Sequence, residues 1–312
     1  MWRMLLRRLI WGVFVTWAVV TIVFLLVNAI GDPATATLGA RAHPAQIAAF
    51  NRENHLDRPL PARYLGYLSD LAHGDLGRSF RDKQPVGAVI ATRLPRTLLL
   101  GAIAMFFELC IGLTIGVAAA VKRNTWFDSG AMGASFLGIS APTYVTGLIF
   151  LEYVAFRLGW FPVGGYGVDF LDHVLHALLP AFTLAIFGAA TYARLTRSEM
   201  IDTLRTDYVR TARAKGVSET RAVLGHALRN ALLPIVTLVG LDLSILVSGA
   251  IITESIYAWP GMGRLAIESI YALDMPLIMG VVIVACVTVQ IGNLLGDLAV
   301  AALDPRVRLE GS

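Results

Sequence analysis

Continuous apolar runs, separated by polar segments, make up most of this chain. The runs show no alternation of period two, and several reach the length of about 20 residues that a helix needs to cross a bilayer. Because backbone groups in hydrocarbon must be paired within their own segment, such runs form helices. The pattern predicts an all-α membrane protein with six transmembrane helices, at about residues 9–30, 97–121, 130–156, 174–193, 231–256 and 276–302.

The longest polar segment, residues 31–96, carries many prolines and no run fit to cross a membrane. Proline is favoured in the first turn of a helix, so we expect helices near 44–55 and 61–73. This extracytoplasmic segment should contact a soluble partner or cover the pore, and a lid without a partner is the alternative. The predicted organisation is a tail and first helix at 1–30, the extracytoplasmic segment at 31–96, a membrane core at 97–302 and a cytoplasmic tail at 303–312.

A charged segment, residues 194–230, separates the fourth and fifth predicted helices. Apolar residues recur in it at helical spacing, with charged residues on the other faces. Gly216 predicts a left-handed residue that ends one helix, and Ser218 with Glu219 predicts the start of a second, to about Asn230. A helix, a turn and a helix held between two membrane helices would transmit force on the turn into both. An amphipathic hairpin lying on the membrane surface is the alternative.

Composition supports a membrane protein, with 56% hydrophobic and 15% charged residues and a net charge of +4. In a soluble protein that positive charge would suggest nucleic acid. Here the basic residues gather in short polar segments, which predicts cytoplasmic segments near anionic lipid and no nucleic-acid partner. Both termini are therefore predicted to be cytoplasmic. The N-terminal arginines precede an apolar run longer than that of a signal peptide, so we expect an uncleaved first helix.

Small residues repeat at every fourth position in two of the predicted helices. Gly112, Gly116 and Ala120 form one such strip, and Gly240, Ser244 and Ser248 form the other. This spacing lets a neighbouring helix approach closely, so we interpret both strips as packing surfaces. Pro142, inside the third predicted helix, should kink it.

Ionisable residues inside membrane helices are costly and are candidates for function. Glu108, Glu152 and Asp242 lie deepest in the predicted helices, and we consider them candidates for a substrate pathway. Our hypothesis is that Asp242, beside the Gly240 strip, lines this pathway and meets an ammonium group. The alternative is a structural acid that is hydrogen-bonded to a neighbouring helix.

The sequence contains no motif for catalysis. It lacks the Gly-x-x-x-x-Gly-Lys-Ser/Thr pattern that cradles nucleotide phosphates, and its glycine clusters at 164–167 and 261–263 predict turns on the outer face. His173 and His176 form a close pair without enough further ligands, so no metal site is predicted. Cys110 and Cys286 lie in apolar runs and imply no disulfide framework. We expect a non-catalytic chain that carries no cofactor of its own.

Sequence motifs along nearly the whole chain resemble one family. They include RPLP at 58–61, GDLGRSF at 74–80, LGWFPVGGY at 158–166, DYVRTARAKG at 207–216 and WPGMGRL at 259–265. In this order they resemble the inner-membrane permease subunits of ABC importers of the dipeptide and oligopeptide type. The resemblance implies the transmembrane fold of a type I ABC importer, with the charged segment as the EAA loop that couples to an ATPase.

The resemblance also implies site residues. The ATPase-coupling residues would be Tyr208, Arg210, Thr211, Ala212, Arg213, Ala214, Lys215, Gly216, Val217, Ser218 and Leu228. Ala212, Gly216 and Leu228 fit the general EAA pattern strictly, whereas Arg210 and Thr211 replace its Glu and first Ala. The loop residues Trp259, Pro260, Gly261 and Met262 would contact a substrate-binding protein, and an interfacial anchor is the alternative for Trp259.

Partners follow from the same resemblance. We expect a second, related permease subunit in a heterodimer, a pair of ATP-binding subunits that hold ATP and Mg²⁺, and a periplasmic or lipid-anchored substrate-binding protein. The chain would form half of a translocation pathway for dipeptides, oligopeptides or a related small solute in a bacterial inner membrane. A secondary transporter or channel without ATPases and a non-transporting scaffold are the alternatives, although no inverted repeat supports the former.

Overall fold

The computed structural model describes residues 2–39 and 41–303. Within these residues the structure is helical, and the one β-type pairing there is an isolated bridge between Arg78 and Pro85. The predicted all-α class is confirmed, while the predicted tail from residue 304 onward lies outside the described residues. The helices are α1 (Trp2–Ile30), α2 (Pro33–Leu38), α3 (Pro44–Glu53), α4 (Leu60–Ala72), α5 (Val86–Val121), α6 (Trp126–Ser140), α7 (Thr143–Phe150), α8 (Phe170–Leu204), α9 (Asp207–Ala214), α10 (Glu219–Arg221), α11 (Leu228–Gly249), α12 (Ile251–Ile256), α13 (Met262–Tyr271) and α14 (Met275–Leu303).

Five helical stretches of the described chain are long and apolar enough to cross a membrane, or six if one bent pair counts as a span. The bent pair corrects the third predicted helix, which is broken rather than kinked. Its two parts, Trp126–Ser140 and Thr143–Arg157, meet at 100°. Ala141 and Pro142 both have extended backbone at the break, because proline lacks an N–H and disfavours helical geometry in the residue before it.

Several helix bounds differ from the predicted ones. α5 begins at Val86 rather than near residue 97, and it accommodates Pro95 in its interior. α8 continues to Leu204, well past the predicted end at 193. After α10, a π-helical segment, Ala222–Ala227, leads directly into α11, so the predicted separation near residue 230 is absent. The fifth predicted helix is itself divided, with α12 following α11 after Ala250.

The chain divides into two compact units. The first unit comprises Met1–Thr97 and Pro260–Thr288. The predicted helices near 44–55 and 61–73 are confirmed as α3 and α4. One apolar cluster joins α3 to α1 and α14 through Phe50, Val27 and Met275. A second joins α4 to the same two helices through Tyr67 and Phe24.

A buried carboxylate organises the loop before α5 in the first unit. Asp274 accepts a hydrogen bond of 2.5 Å from the Ser79 hydroxyl and one of 3.3 Å from the Arg81 backbone N–H. Its side chain is therefore paired although it is buried. Without these donors, burying the charge would be strongly unfavourable.

The segment around residues 259–263, which was predicted to be an outer loop, instead leads into helix α13. Gly261 stands immediately before the helix, and Met262, Leu265 and Ser269 are buried on one of its faces. The backbone N–H of Met262 donates to the Thr97 hydroxyl at 2.7 Å. The glycines at 261 and 263 therefore accompany a helix start rather than a loop turn.

The second unit comprises Leu98–Trp259 and Val289–Ser312. α5 and α8 pack closely in it, because a Cβ added at Gly112 would lie 2.9 Å from the Ala189 carbonyl oxygen and one at Gly116 would lie 2.7 Å from that of Ala193. α11 approaches α14 equally closely where Gly240 meets Gly296. The packing role predicted for these glycines is confirmed; the side chains of Ser244 and Ser248 lie outside the described part.

Candidate functional site

The charged segment, residues 194–230, is anchored by an apolar face. Val209 of α9 is fully buried, and it packs with Met200 of α8, Val223 and Ala227 of the π-helical segment and Ala120 near the end of α5. The helical spacing in the sequence predicted an apolar face for Met200 and Val209 and another for Val223 and Ala227. Burial of these faces packs the segment against α5, α8 and α11.

Gly216 forms the turn at the far side of α9. Its φ of +82° lies in the left-handed region, as the sequence predicts. The Gly216 N–H donates to the Arg213 carbonyl at 3.0 Å, and the Val217 N–H donates to the Ala212 carbonyl at 3.2 Å. This pair of bonds is a Schellman motif, which satisfies carbonyls that the helix end would leave unpaired.

An ion pair closes the turn. The Arg213 guanidinium donates to both carboxylate oxygens of Glu219, at 3.0 and 2.6 Å. The predicted Ser218 cap is wrong in detail, because Ser218 precedes α10 but its side chain makes no capping hydrogen bond. A second contact, 2.6 Å from the Asn230 amide to the Tyr208 hydroxyl, joins α9 to α11.

The predicted coupling residues divide into an exposed edge and a half-buried base. Ala212, Val217 and Leu228 are half-buried. The exposed residues are Tyr208, Arg210, Thr211, Arg213, Ala214, Lys215, Gly216 and Ser218. The edge presents polar and basic groups around one rigid turn, which is a geometry suited to docking in a groove of another protein.

Two of the three candidate pathway residues lie together in the second unit. Glu108 of α5 is 4% exposed, and its carboxyl group packs against Gly188 of α8. Glu108 interacts electrostatically with Asp242 of α11, which is half-buried. The fully buried Tyr192 lies within electrostatic range of both carboxylates, and its hydroxyl makes no hydrogen bond within the described residues. Tyr192 was missed from the sequence because only charged residues in the helices were considered.

Glu152 lies in a different environment. It belongs to a π-helical segment, Leu151–Arg157, that extends α7, and its carboxylate accepts a 2.8 Å hydrogen bond from Arg157. Both side chains are about half-exposed, at 46% for Glu152 and 60% for Arg157. The structure therefore argues against the deep position predicted for this carboxylate.

A buried ion pair near the start of the charged segment was also missed. Arg197 of α8 donates to both oxygens of Asp128 in α6, at 2.5 and 2.7 Å. Asp128 is 3% exposed and also accepts the Asn124 N–H at 2.9 Å. Such bidentate pairs fix the angle between two side chains as well as their distance. The pair thus ties α6 to the part of α8 from which the charged segment departs.

Comparison with known proteins identifies the family. Residues 112–309 match the family described as binding-protein-dependent transport system inner membrane component. Residues 1–101 match the N-terminal part of such a membrane component. The chain belongs to this family.

Similar proteins include three named permeases. A putative peptide permease of Brucella suis is 42% identical over 99% of this chain and 100% of its own length. The oligopeptide transport system permease protein AppB of Bacillus subtilis is 36% identical over 97% of this chain and 98% of its own length. The glutathione transport system permease protein GsiC of Pectobacterium atrosepticum is 39% identical over 93% of this chain and 94% of its own length. The chain is therefore a permease subunit of an ABC importer of the peptide-permease type, as its motifs predict.

A solved structure shows the same fold. The inward-facing MetNI methionine ABC transporter matches with a TM-score of 0.56 at 17% identity, covering 69% of this permease and 96% of the other chain. The predicted fold class is confirmed by this likeness and by the all-helical structure. As an inner-membrane component of its family, the permease spans the membrane several times and works with ATPase and substrate-binding partners.

The outer contact predicted for this permease needs correction. Trp259 is fully buried in an apolar cluster with Leu100, Ala177 and Ala181, and its ring packs 5.0 Å from that of Tyr166. Met262 is 5% exposed, and Gly261 is also buried. Pro260 is half-buried. The aromatic residue that looked like a contact or a membrane anchor is instead a core residue.

Proposed function

We propose that this permease forms half of a translocation pathway for dipeptides, oligopeptides or a related small solute, and that its 194–230 segment couples the pathway to an ATPase subunit. The observation that carries the proposal is the rigid turn at Gly216, exposed on one side and anchored to α5, α8 and α11 on the other. The names of the peptide, oligopeptide and glutathione permeases support the substrate class.

Coupling works through rigid-body displacement. ATP binding, with Mg²⁺, in the partner subunits brings those subunits together and moves the turn, which transmits the movement to α8 and α11. Hydrolysis of the ATP lets the partner subunits separate and returns the turn, α8 and α11 to their earlier positions. Substrate affects this equilibrium only through the difference in its affinity for the inward-facing and outward-facing states. No ATP-binding motif is present in this chain, so we assign the chemistry to the partners.

The full assembly contains two permease subunits, because a single charged segment provides one docking surface whereas a pair of ATPase subunits needs two. We propose further that the partner is a related permease in a heterodimer, that a substrate-binding protein docks outside, and that the N- and C-termini are cytoplasmic in a bacterial inner membrane. On this orientation residues 31–96 face the substrate-binding protein. Exposed Tyr271, at the end of α13, is a better candidate for that contact than Trp259.

Deleting Arg213–Ser218 tests the coupling role directly. The deletion removes the exposed turn and the ion pair to Glu219 but leaves the apolar anchor, so the chain should still insert while losing its ATPase subunits. Co-purification in mild detergent, with quantification of each subunit, measures the result. Full retention of ATPase subunits by the deletion variant, or their absence from the native complex, would contradict the proposal.

Asp242→Asn tests the substrate pathway. The substitution keeps the shape of a half-buried side chain and removes the charge that would attract an ammonium group. We expect uptake of cationic peptides to fall by about fivefold to tenfold, as for loss of a charge-assisted hydrogen bond, while assembly stays normal. Glu152→Gln provides a charge-matched control, because Glu152 pairs with Arg157. Normal uptake by the Asp242 variant would favour a structural acid.

A further inference from the structure

The extracytoplasmic segment encloses a cavity that the transport role does not account for. The cavity has a volume of about 430 Å³ and is lined within the first unit by the loop before α4, one face of α4, the loop after it and the outer ends of α1 and α14. Pockets that bind small molecules have volumes of about 300–1,000 Å³. Two sequence motifs, RPLP at 58–61 and GDLGRSF at 74–80, both contribute to its lining.

Three arginines line the cavity. Arg58 and Arg78 come from the two motifs, and Arg63 comes from α4. In the part of the chain that the structure describes, no ion pair joins these three arginines to a carboxylate. Asp70 and Asp75 also line the cavity, and Asp75 uses one oxygen to accept the Gly77 N–H at 2.8 Å.

Arg63 is the most informative of these arginines. It is half-buried, and the one contact described for its guanidinium is a 3.8 Å approach to the sulfur of Met275. Burial lowers the pKa of Arg63, because the charged group loses hydration. A planar guanidinium held in this way is suited to a carboxylate or phosphate, which it can bind through two parallel hydrogen bonds.

One part of the lining, the apolar wall, is formed by α1 and α14. Phe24 and Val27 of α1 and Met275 and Met279 of α14 line it, and all four are buried. These residues lie at the ends of two helices that are apolar enough to span the membrane. The apolar wall therefore lies directly beside the Arg63 guanidinium, which contacts Met275.

Two buried polar atoms in the cavity lining lack a partner among the described residues. They are the Tyr67 hydroxyl and the Asn28 side-chain oxygen. Burial raises the pKa of Tyr67, so the hydroxyl stays protonated and can donate a hydrogen bond. Buried polar atoms without partners are rare in folded proteins and are unfavourable by about 1–3 kcal/mol each. A bound molecule with an acceptor and a donor would satisfy both atoms.

We propose that this cavity binds a small anionic amphiphile, with its acid group on Arg63 and the neighbouring arginines and its apolar part on the Phe24 and Met279 wall. The Tyr67 hydroxyl donates to the acid group, and Asn28 accepts from a hydroxyl or amide of the ligand. An anionic phospholipid and a free fatty acid share the acid group and the apolar part, and a phospholipid with a glycerol headgroup also carries the hydroxyl that would donate to Asn28. Binding at the junction of α1, α4 and α14 would stabilise the first unit independently of the transported solute.

Native mass spectrometry of the intact complex in mild detergent tests the proposal with three probes. These are dilauroyl phosphatidylglycerol, dilauroyl phosphatidylcholine and dodecanoate. We expect saturable binding of phosphatidylglycerol or dodecanoate, and whichever binds identifies the source of the ligand. Binding of neither, or equal binding of phosphatidylcholine and phosphatidylglycerol, would overturn the proposal.

Two variants locate the binding in this cavity. Arg63→Gln should weaken binding by about tenfold, as expected for loss of a charge-assisted hydrogen bond, whereas Arg41→Gln removes an exposed arginine outside the lining and should not. Gly66→Leu should block the cavity without disturbing α4, because a Cβ added at Gly66 meets no heavy atom within 4 Å. Gly66→Ala is its control. Unchanged binding in Arg63→Gln or in Gly66→Leu would contradict the assignment.

Discussion

Replacing Gly216 with valine is expected to reduce uptake at least about tenfold while the permease still reaches the membrane. The residue has a φ of +82°, where a β-branched side chain clashes with its own backbone and is disfavoured by at least about 1–2 kcal/mol. The chain can relieve this strain only by opening the Schellman turn, which moves the exposed edge of α9 relative to its anchor. Substrate uptake, measured together with the amount of ATPase subunit that co-purifies, reports the effect.

The control for this prediction is Gly216→Asn. Asparagine tolerates left-handed backbone, and the space around Gly216 is open, since an added Cβ meets no heavy atom within 4 Å. We therefore expect the asparagine variant to keep most of its uptake. Equal loss in both variants would indicate that the side chain itself obstructs docking. Normal uptake by the valine variant would show that coupling does not depend on the shape of the Gly216 turn.

Local rules predicted the parts of the fold that depend on a few neighbouring residues. Apolar runs located the membrane helices, and Gly216 located the turn, because helix length and left-handed backbone are both local properties. The helix bounds were less accurate. The second predicted helix was placed from about residue 97, but α5 begins at Val86 and carries Pro95 in its interior. Pro142 suggested a kink, but the helix breaks with a bend of 100°. A proline permits a break, and tertiary packing determines whether one occurs.

The candidate site was less accessible to sequence reasoning, since its contacts join distant parts of the chain. Asp128 and Arg197 are 69 positions apart, so no spacing rule connects them. Trp259 looked like a surface residue because it stands in a polar loop motif, yet the structure buries it completely. In contrast, the packing role of Gly112 and Gly116 could be predicted from the sequence, because small residues at this spacing usually allow two helices to approach closely.

Replacing Asp128 with alanine should cause the largest loss of stability, about 1–3 kcal/mol, because it leaves the partly buried Arg197 guanidinium without its carboxylate partner. Thermal unfolding of the purified complex measures the loss. The double variant Asp128→Leu with Arg197→Met removes both charges and should recover much of it, since apolar residues of similar volume can replace a buried pair. Arg157→Ala breaks the exposed pair with Glu152 and should change stability by less than about 1 kcal/mol.

If the single and double variants at Asp128 and Arg197 are equally unstable, the loss arises from packing between α6 and α8 and not from an unpaired charge. A different outcome is a double variant that is stable, as predicted, and yet transports poorly. In that case the Arg197 contact also sets the position of the rest of the charged segment, which continues beyond the end of α8 at Leu204.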